Sequence, residues 1–272
     1  MNWTYVPKPG SVTRVKQGAV ADFRALGLSQ AAAEFCAGIE IEPGAVATFT
    51  ASDLDIINMK QGNAVVNGTL EGKDIFFNDG ILLAGGGFIK LQSFADPELP
   101  GTATVDGTIK PGNSPGTLTF DGNLVLVAGT ILDMELGAAG TTDADRIVVT
   151  ANLTLDGSVN VIALPGFAAG TYTLIQYSGT LTDAGLGVAD FPAGFVGSID
   201  LTTPGEVRLI VRNPCLGDAD GSGSVTFNDI TAVLANLGAT TTPFGPGDAD
   251  GDGTVAFADI TAVLANLGAA CQ

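Results

Sequence analysis

Residues 108–137 read TIKPGNSPGTLTFDGNLVLVAGTILDMELG, and their pattern decides the fold of most of the chain. Short apolar and β-branched runs are broken by Gly, Asn and Asp, charges are few, and no helical period persists, which is the pattern of strands and turns. The same texture extends outward from Gly44 to Arg212. Within it a small unit recurs: an apolar residue, a turn with glycine, a small polar residue and a second apolar one. It stands at Val66–Leu70 (VNGTL), Val105–Ile109 (VDGTI), Phe120–Leu124 (FDGNL), Val127–Ile131 (VAGTI) and Leu155–Val159 (LDGSV). The glycines are spaced by 39, 15, 7 and 28 residues, which suits a solenoid with variable corners better than a strict repeat or a blade propeller. Asp-Gly or Asn-Gly hairpins in a β-sandwich are the other reading of the same units.

The 272 residues include 29 Asp plus Glu, 11 Lys plus Arg and no histidine, a formal charge of −18. That balance argues against nucleic acid as a partner, since a binder needs a basic footprint. Without histidine there is no Ser-His-Asp or Cys-His nucleophile and no His-built zinc site. Hydrophobic residues make up 46% despite 38 glycines, so a real core is expected. No uninterrupted apolar run of 18 residues is present, and no membrane-spanning helix is expected. The opening MNWTYVPKPG lacks a charged region followed by an apolar one, so no signal peptide is expected in this chain.

The charge is unevenly spread. All 11 bases lie in residues 1–212, whereas 213–272 holds seven acids and no base, which places a domain boundary at Asn213-Pro214. Beyond it Gly217–Gly238 (GDADGSGSVTFNDITAVLANLG) recurs as Gly247–Gly268 (GDADGDGTVAFADITAVLANLG), a 30-residue period with 18 of 22 positions identical. In each copy carboxylates fall at loop positions 1, 3 and 12, with Gly223 or Gly253 at position 6, the spacing of a 12-residue calcium loop. A cation of that size needs six to eight oxygens, and a tight loop supplies them when alternate side chains point inward and glycine takes the sharp turn. The candidate ligands are Asp218, Asp220, Ser222, the carbonyl of Ser224 and Asp229, then Asp248, Asp250, Asp252, the carbonyl of Thr254 and Asp259. The second loop has one carboxylate more and is expected to bind more tightly. Ile230, Val233, Leu234 and Leu237, and likewise Ile260, Val263, Leu264 and Leu267, follow helical spacing and stop at Gly238 and Gly268, so each loop is expected to run into an amphipathic helix. No helix is expected before either loop.

This duplicated loop-helix segment, from about Cys215 to Cys271, resembles a type I dockerin, the small all-α module that binds two calcium ions and docks onto cohesin domains. The resemblance implies that the residues just before position 12 face the partner: Phe227 and Asn228 in one copy, Phe257 and Ala258 in the other. The sequence departs from the familiar pattern, which has small hydroxyl residues there and basic residues further along, where Ala235 and Ala265 stand. Phe227 and Phe257 also read as core residues pinning loop to helix. In dockerin folds the two ends meet, which implies a Cys215–Cys271 disulfide closing a loop of about 57 residues and contributing on the order of 4 kcal/mol. Such a bond implies an oxidising, extracellular or cell-surface setting, and leaves Cys36 as a free, buried thiol.

Residues 108–137 with 142–177, which carry a PGNSPG turn and an Asp145-Arg146 corner, resemble the β-helical passenger repeats of autotransporter surface proteins. The resemblance implies a right-handed parallel β-helix over 44–212. Solenoid ends need caps, and Ala21 to Phe35, with Phe23, Leu26 and Leu28 among alanines, is the candidate helical cap within an amino-terminal segment 1–43. Asp143, Asp145 and Arg146, or Asp53 with Asp55, are the residues an enzyme could use, but corner residues satisfying backbone donors are the favoured reading, and no catalytic residue is assigned. Trp3, Tyr5, Tyr172 and Tyr177 are too dispersed for a sugar platform, and the 14 Phe are expected in the stacked interior. The expected protein is therefore mainly β, a secreted non-catalytic β-helix carrying a calcium-dependent dockerin at 213–272. The alternative is a polysaccharide-degrading or carbohydrate-binding component of a cellulosome-like complex, in which case it would be a hydrolase or lyase.

Overall fold

The computed structural model describes residues 12–17, 20–22, 33–35, 38–48, 56–60, 62–92, 99–241 and 243–271. Strands come in threes along the chain. The order begins β1 (Val12–Val15), β2 (Val20–Asp22), β3 (Ala33–Phe35), then β4 (Gly38–Ile41), β5 (Val46–Thr48), β6 (Ile56–Met59). It continues β7 (Ala64–Val66), β8 (Thr69–Gly72), β9 (Asp74–Phe77), then β10 (Leu82–Gly85), β11 (Phe88–Leu91), β12 (Thr102–Val105). Next come β13 (Thr108–Pro111), β14 (Thr117–Asp121), β15 (Asn123–Leu126), then β16 (Ile131–Leu136), β17 (Arg146–Val149), β18 (Leu153–Ala163). The last strands are β19 (Gly170–Tyr177), β20 (Leu181–Asp190), β21 (Val196–Asp200) and β22 (Glu206–Arg212).

From β4 to β18, each strand pairs in parallel with the strand three before it. One ladder runs β1-β4-β7-β10-β13-β16-β18, a second β2-β5-β8-β11-β14-β17-β19-β22-β21, and a third β3-β6-β9-β12-β15-β18. The eleven residues of β18 turn a corner, pairing with β15 at Leu153–Thr154 and with β16 from Ser158 to Ala163. This is a three-faced parallel β-solenoid. The hairpin sandwich is excluded, because the units with glycine join strands of adjacent faces and not antiparallel partners.

The alternation within each strand explains the core. In β12 Ala103 and Val105 point inward while Thr102 and Thr104 do not. Across strands the inward residues stack: Ile39, Ala64, Leu83, Ile109, Leu132 and Val159 form one fully buried column on successive coils. Ala47, Leu70, Ile89, Phe120 and Val149 form a second. Large residues share each column with small ones, as close packing of an interior requires. Phe77 and Phe120 lie in this interior as expected, but Phe88 is exposed.

The corner glycines have a specific cause. A Cβ on Gly107 would sit 2.3 Å from the carbonyl oxygen of Ile81, and one on Gly68 would sit 2.3 Å from that of Ala45. The next residues, Thr108 and Thr69, donate their N–H to those same oxygens at 2.9 and 2.8 Å. The unit read as a turn is thus the point where one coil rests on the carbonyl of the coil before it.

The amino-terminal segment departs from expectation. Strands β1 to β4 already belong to the sheets upstream of Gly44. The ends of the expected helical cap, Val20–Asp22 and Ala33–Phe35, are strands paired with β5 and β6. Its middle, with Phe23, Leu26 and Leu28, lies outside the described residues, as do Cys36, Asp53, Asp55, Trp3 and Tyr5.

The chain divides into two compact units, one comprising residues 1–167, 171–190 and 199–209, the other 168–170, 191–198 and 210–272. The second contains α1 (Phe227–Asn236) and α2 (Phe257–Asn266). They pack around Ala219, Val225, Val233, Ala249, Val255, Ala262 and Val263, with Ile230 and Ile260 partly buried against them. Thr226 caps α1 by accepting from Asn228 N–H, and Asp229 reaches back to Thr226 N–H at 2.7 Å, a reciprocal capping box. Ala256 has no side-chain oxygen, so α2 keeps only the returning bond, Ala256 N–H to Asp259 at 2.7 Å.

Leu132 sits mid-column between Ile109 and Val159. Leu132→Ala is expected to lower the unfolding free energy of the solenoid by about 2–5 kcal/mol, measured by urea denaturation; a loss under 0.5 kcal/mol would show that the column is not close-packed.

Candidate metal centre

Glycine turns and Asx-type bonds build each acidic loop. In the first, Asp218 accepts Ser222 N–H at 3.0 Å and Gly223 N–H at 2.9 Å, and Asp220 accepts Ser222 N–H at 2.9 Å. The Ser222 hydroxyl donates to the carbonyl of Ser224 at 3.1 Å. Asp229, fully buried at the first turn of α1, accepts Asp220 N–H at 2.9 Å as well as Thr226 N–H. Asp218, Asp220 and Asp229 each bring a carboxylate oxygen within 4.8 Å of the others.

The second loop repeats this with differences. Asp248 and Asp259 are fully buried. Asp248 accepts Gly251, Gly253 and Phe244 N–H groups at 2.8, 2.9 and 3.0 Å. Asp250, Asp252 and Asp248 have oxygens within 4.8 Å of one another. Asp259 stands outside that trio. It accepts Ala249 N–H at 2.7 Å and Asp250 N–H at 3.1 Å, and so ties the loop to the first turn of α2.

The electrostatics are those of a site short of positive charge. Burial pushes the Asp218 carboxyl up, and the nearby charges of Asp229 and Asp220 add to it against hydrogen bonds from Gly223 and Ser222. Burial likewise raises Asp250, reinforced by Asp259, Asp252 and Asp248. Asp252 is lowered, by the Thr254 hydroxyl and N–H that it accepts. Oxygen-only donors, mutual repulsion and desolvation are the conditions a hard divalent cation relieves, so the residues present fit calcium.

The surroundings of the loops differ. A Cβ on Gly221 would come within 3.0 Å of the Arg212 guanidinium, whereas one on Gly251 would meet the ring of Phe244 at 2.3 Å. The first loop thus has a cationic neighbour and one fewer carboxylate, and the second an aromatic cover. Cys215 and Cys271 form a disulfide with Cα atoms 5.6 Å apart.

Phe227 and Phe257 are 71% and 73% exposed, which excludes the core reading of these rings. Asn228 and Ala258 beside them are also exposed. Helical spacing assigned Leu234, Leu237, Leu264 and Leu267 to the packed stripe, and this is corrected: all four are exposed, Leu234 at 53% and Leu264 at 56%. Val233 and Val263 fill the core, and the leucine that follows each is turned about 100° away from it. Seven residues separate Phe227 from Leu234 and Phe257 from Leu264, so each helix carries an exposed apolar pair two turns apart. That spacing was visible in the sequence but was assigned to packing.

In the solenoid, Asp145 is buried and accepts Gly116 N–H at 2.8 Å and Glu135 N–H at 2.9 Å. Burial pushes its carboxyl up to about 6, with the charge of Glu135 assisting and the two N–H bonds opposing. Asp143 is exposed, and Arg146 lies in strand register with Thr117. The PGNSPG corner therefore uses Asp145 to hold two backbone donors. Tyr172 is buried, its hydroxyl donating to the carbonyl of Gly137 at 3.0 Å.

A scan against models of known protein families gives no match. Over 129 residues, 45% of this chain, the sequence is 42% identical to the adhesin BmaC autotransporter of Brucella suis biovar 1 (strain 1330). The chain spans 4% of the length of that relative. A mainly β chain with a parallel solenoid and this similarity agree with the autotransporter-like character of the larger region.

Asp145 supplies a pH test. Its carboxyl titrates at about 6 in the folded protein against an ordinary value of 3.8, so the folded state holds the proton more tightly than the unfolded chain. Its contribution is fully present below the lower value and is lost as pH rises to about 6. Between pH 4 and 6.5 the urea midpoint of the native solenoid is expected to fall relative to that of Asp145→Asn; parallel curves for the two proteins would refute the assignment.

Proposed function

We propose that the protein is a secreted, non-catalytic surface protein built on a right-handed β-helix and held to a cohesin-type domain by a calcium-dependent module at 213–272. The carrying observation is that each acidic loop gathers three carboxylates within 4.8 Å directly before a helix that begins with an exposed phenylalanine. Asp218, Asp220, Ser222, the Ser224 carbonyl and Asp229 would hold one ion; Asp248, Asp250, Asp252, the Thr254 carbonyl and Asp259 the other. Calcium supplies the positive charge that seven clustered aspartates otherwise lack, so metal binding and folding of the module are coupled. The similarity to an autotransporter adhesin supports a surface role for the solenoid, and the disulfide supports an oxidising compartment.

Docking would use Phe227 with Asn228 and Phe257 with Ala258, extended along the helices by Leu234 and Leu264. Exposed aromatic anchors next to apolar neighbours are the usual energetic centre of an interface.

Calorimetric titration of calcium into the chelated full chain is expected to show two binding events, both lost when residues 213–272 are removed. Chelation is expected to abolish the helical circular dichroism of the module while the β signal persists; no heat of binding and an unchanged spectrum would overturn the calcium reading. On an array of immobilised cohesin domains, Phe227→Ala with Phe257→Ala is expected to weaken binding at least about 30-fold, the cost of losing a hot spot of 2 kcal/mol. Wild-type calcium-loaded protein that binds no cohesin would exclude this anchoring.

A further inference from the structure

We infer that the Cys215–Cys271 disulfide is the clamp of the first acidic loop alone, so that one of the two calcium sites depends on the bond and the other does not. The inference rests on the calcium reading above.

Each loop is braced by the segment that follows the helix of the other copy. Gly238 N–H donates to Val255 O at 2.8 Å, Val255 N–H to Ala239 O at 2.9 Å and Thr241 N–H to Gly253 O at 3.0 Å, bracing the second loop. Thirty residues on, Gly268 N–H donates to Val225 O at 2.8 Å, Val225 N–H to Ala269 O at 2.9 Å and Cys271 N–H to Gly223 O at 3.0 Å, bracing the first. The hydrogen bonds are the same; the tethers are not.

Thr241 reaches Asp248 in seven residues of chain, and between them Phe244 donates its N–H to Asp248 and lays its ring on Gly251. The brace of the second loop is therefore held in place by a short peptide. Cys271 is 53 residues from Asp218 along the chain, and the short covalent route between them is the sulfur bridge to Cys215, whose carbonyl accepts Asp218 N–H at 3.0 Å. Cys271 Sγ also lies 3.6 Å from Asp218 Oδ2, so the bridge touches the carboxylate at loop position 1. Opening it replaces a short closure with a long one, whose ordering entropy is larger, and the first loop loses pre-organisation for its cation.

Opening by an excess of a small dithiol is balanced: the disulfide gains two electrons and two protons and becomes two thiols, and the dithiol becomes its cyclic disulfide. The non-reducible equivalent is the Cys215→Ala with Cys271→Ala variant.

The test uses the full chain in two backgrounds, Asp250→Ala with Asp252→Ala to silence the second loop and Asp220→Ala with Ser222→Ala to silence the first, each titrated with calcium before and after the bridge is removed. Removal is expected to lower calcium affinity about tenfold or more when only the first loop binds, and less than twofold when only the second does. Amide hydrogen exchange on the same samples is expected to quicken at Gly268, Val225 and Cys271 and to stay unchanged at Gly238, Val255 and Thr241. Equal affinity losses in both backgrounds, or equal exchange at the two braces, would reduce the disulfide to a general staple and overturn the inference. If calcium binds in neither background, it is the calcium reading that fails, and the exchange pattern still decides the asymmetry of the clamp.

Discussion

Main-chain hydrogen bonding between successive coils spaces parallel strands at about 4.8 Å, and that spacing governs the solenoid. It leaves room only for glycine where a corner passes closest over a carbonyl, as Gly68 does over Ala45 and Gly107 over Ile81. It also aligns every inward side chain with the one on the coil before, which turns ordinary alternation into continuous apolar columns such as Ile39 to Val159. Polar residues stack by the same rule: Asn152 N–H donates to Asn123 Oδ1 and Thr180 N–H to Asn152 Oδ1, one coil apart. Buried acids such as Asp145 persist where a corner leaves backbone donors without a ladder partner.

The second unit is governed by charge. Its core is small, seven buried residues with a few neighbours, and it carries seven carboxylates with no base among residues 213–272. Hydrogen bonds from backbone N–H groups hold the aspartates in position, but burial first, and then the charges of neighbouring carboxylates, still raise Asp218 and Asp250. A duplicated sequence arranged so that each half braces the other spreads this cost over two loops. The duplication is imperfect in chemistry, since Ser222 stands where Asp252 does and Thr226 where Ala256 does.

Much of the fold was legible because strand alternation and glycine corners are local signals. The parallel arrangement separated itself from the hairpin alternative only when pairing was known, since VDGTI is compatible with either. The stretch 21–35 is the opposite case: alanines with scattered apolar residues suggested a helix, yet its described ends at Val20–Asp22 and Ala33–Phe35 join sheets, where ladder bonds outweigh local propensity, and its middle lies outside the described residues. At the candidate site, the spacing of aspartates and glycines located both acidic loops. Asp259 lies outside the trio of Asp248, Asp250 and Asp252 and accepts backbone N–H groups at Ala249, Asp250 and Ala256, a difference from Asp229 that the equal spacing of the two copies does not reveal.

By itself the sequence determined the class of each part: period-two patterning with glycine corners makes strands, and a glycine-rich acidic loop before a helical period makes a turn that runs into a helix. These are properties of residues near one another along the chain. Tertiary structure alone decided that Phe227, Leu234, Phe257 and Leu264 face outward. It decided too that the segment after each helix braces the loop of the other copy, and that Cys271 lies against Asp218 across 53 residues of chain. Those outcomes depend on which of several apolar faces finds a partner in a core this small, and no local pattern encodes that choice.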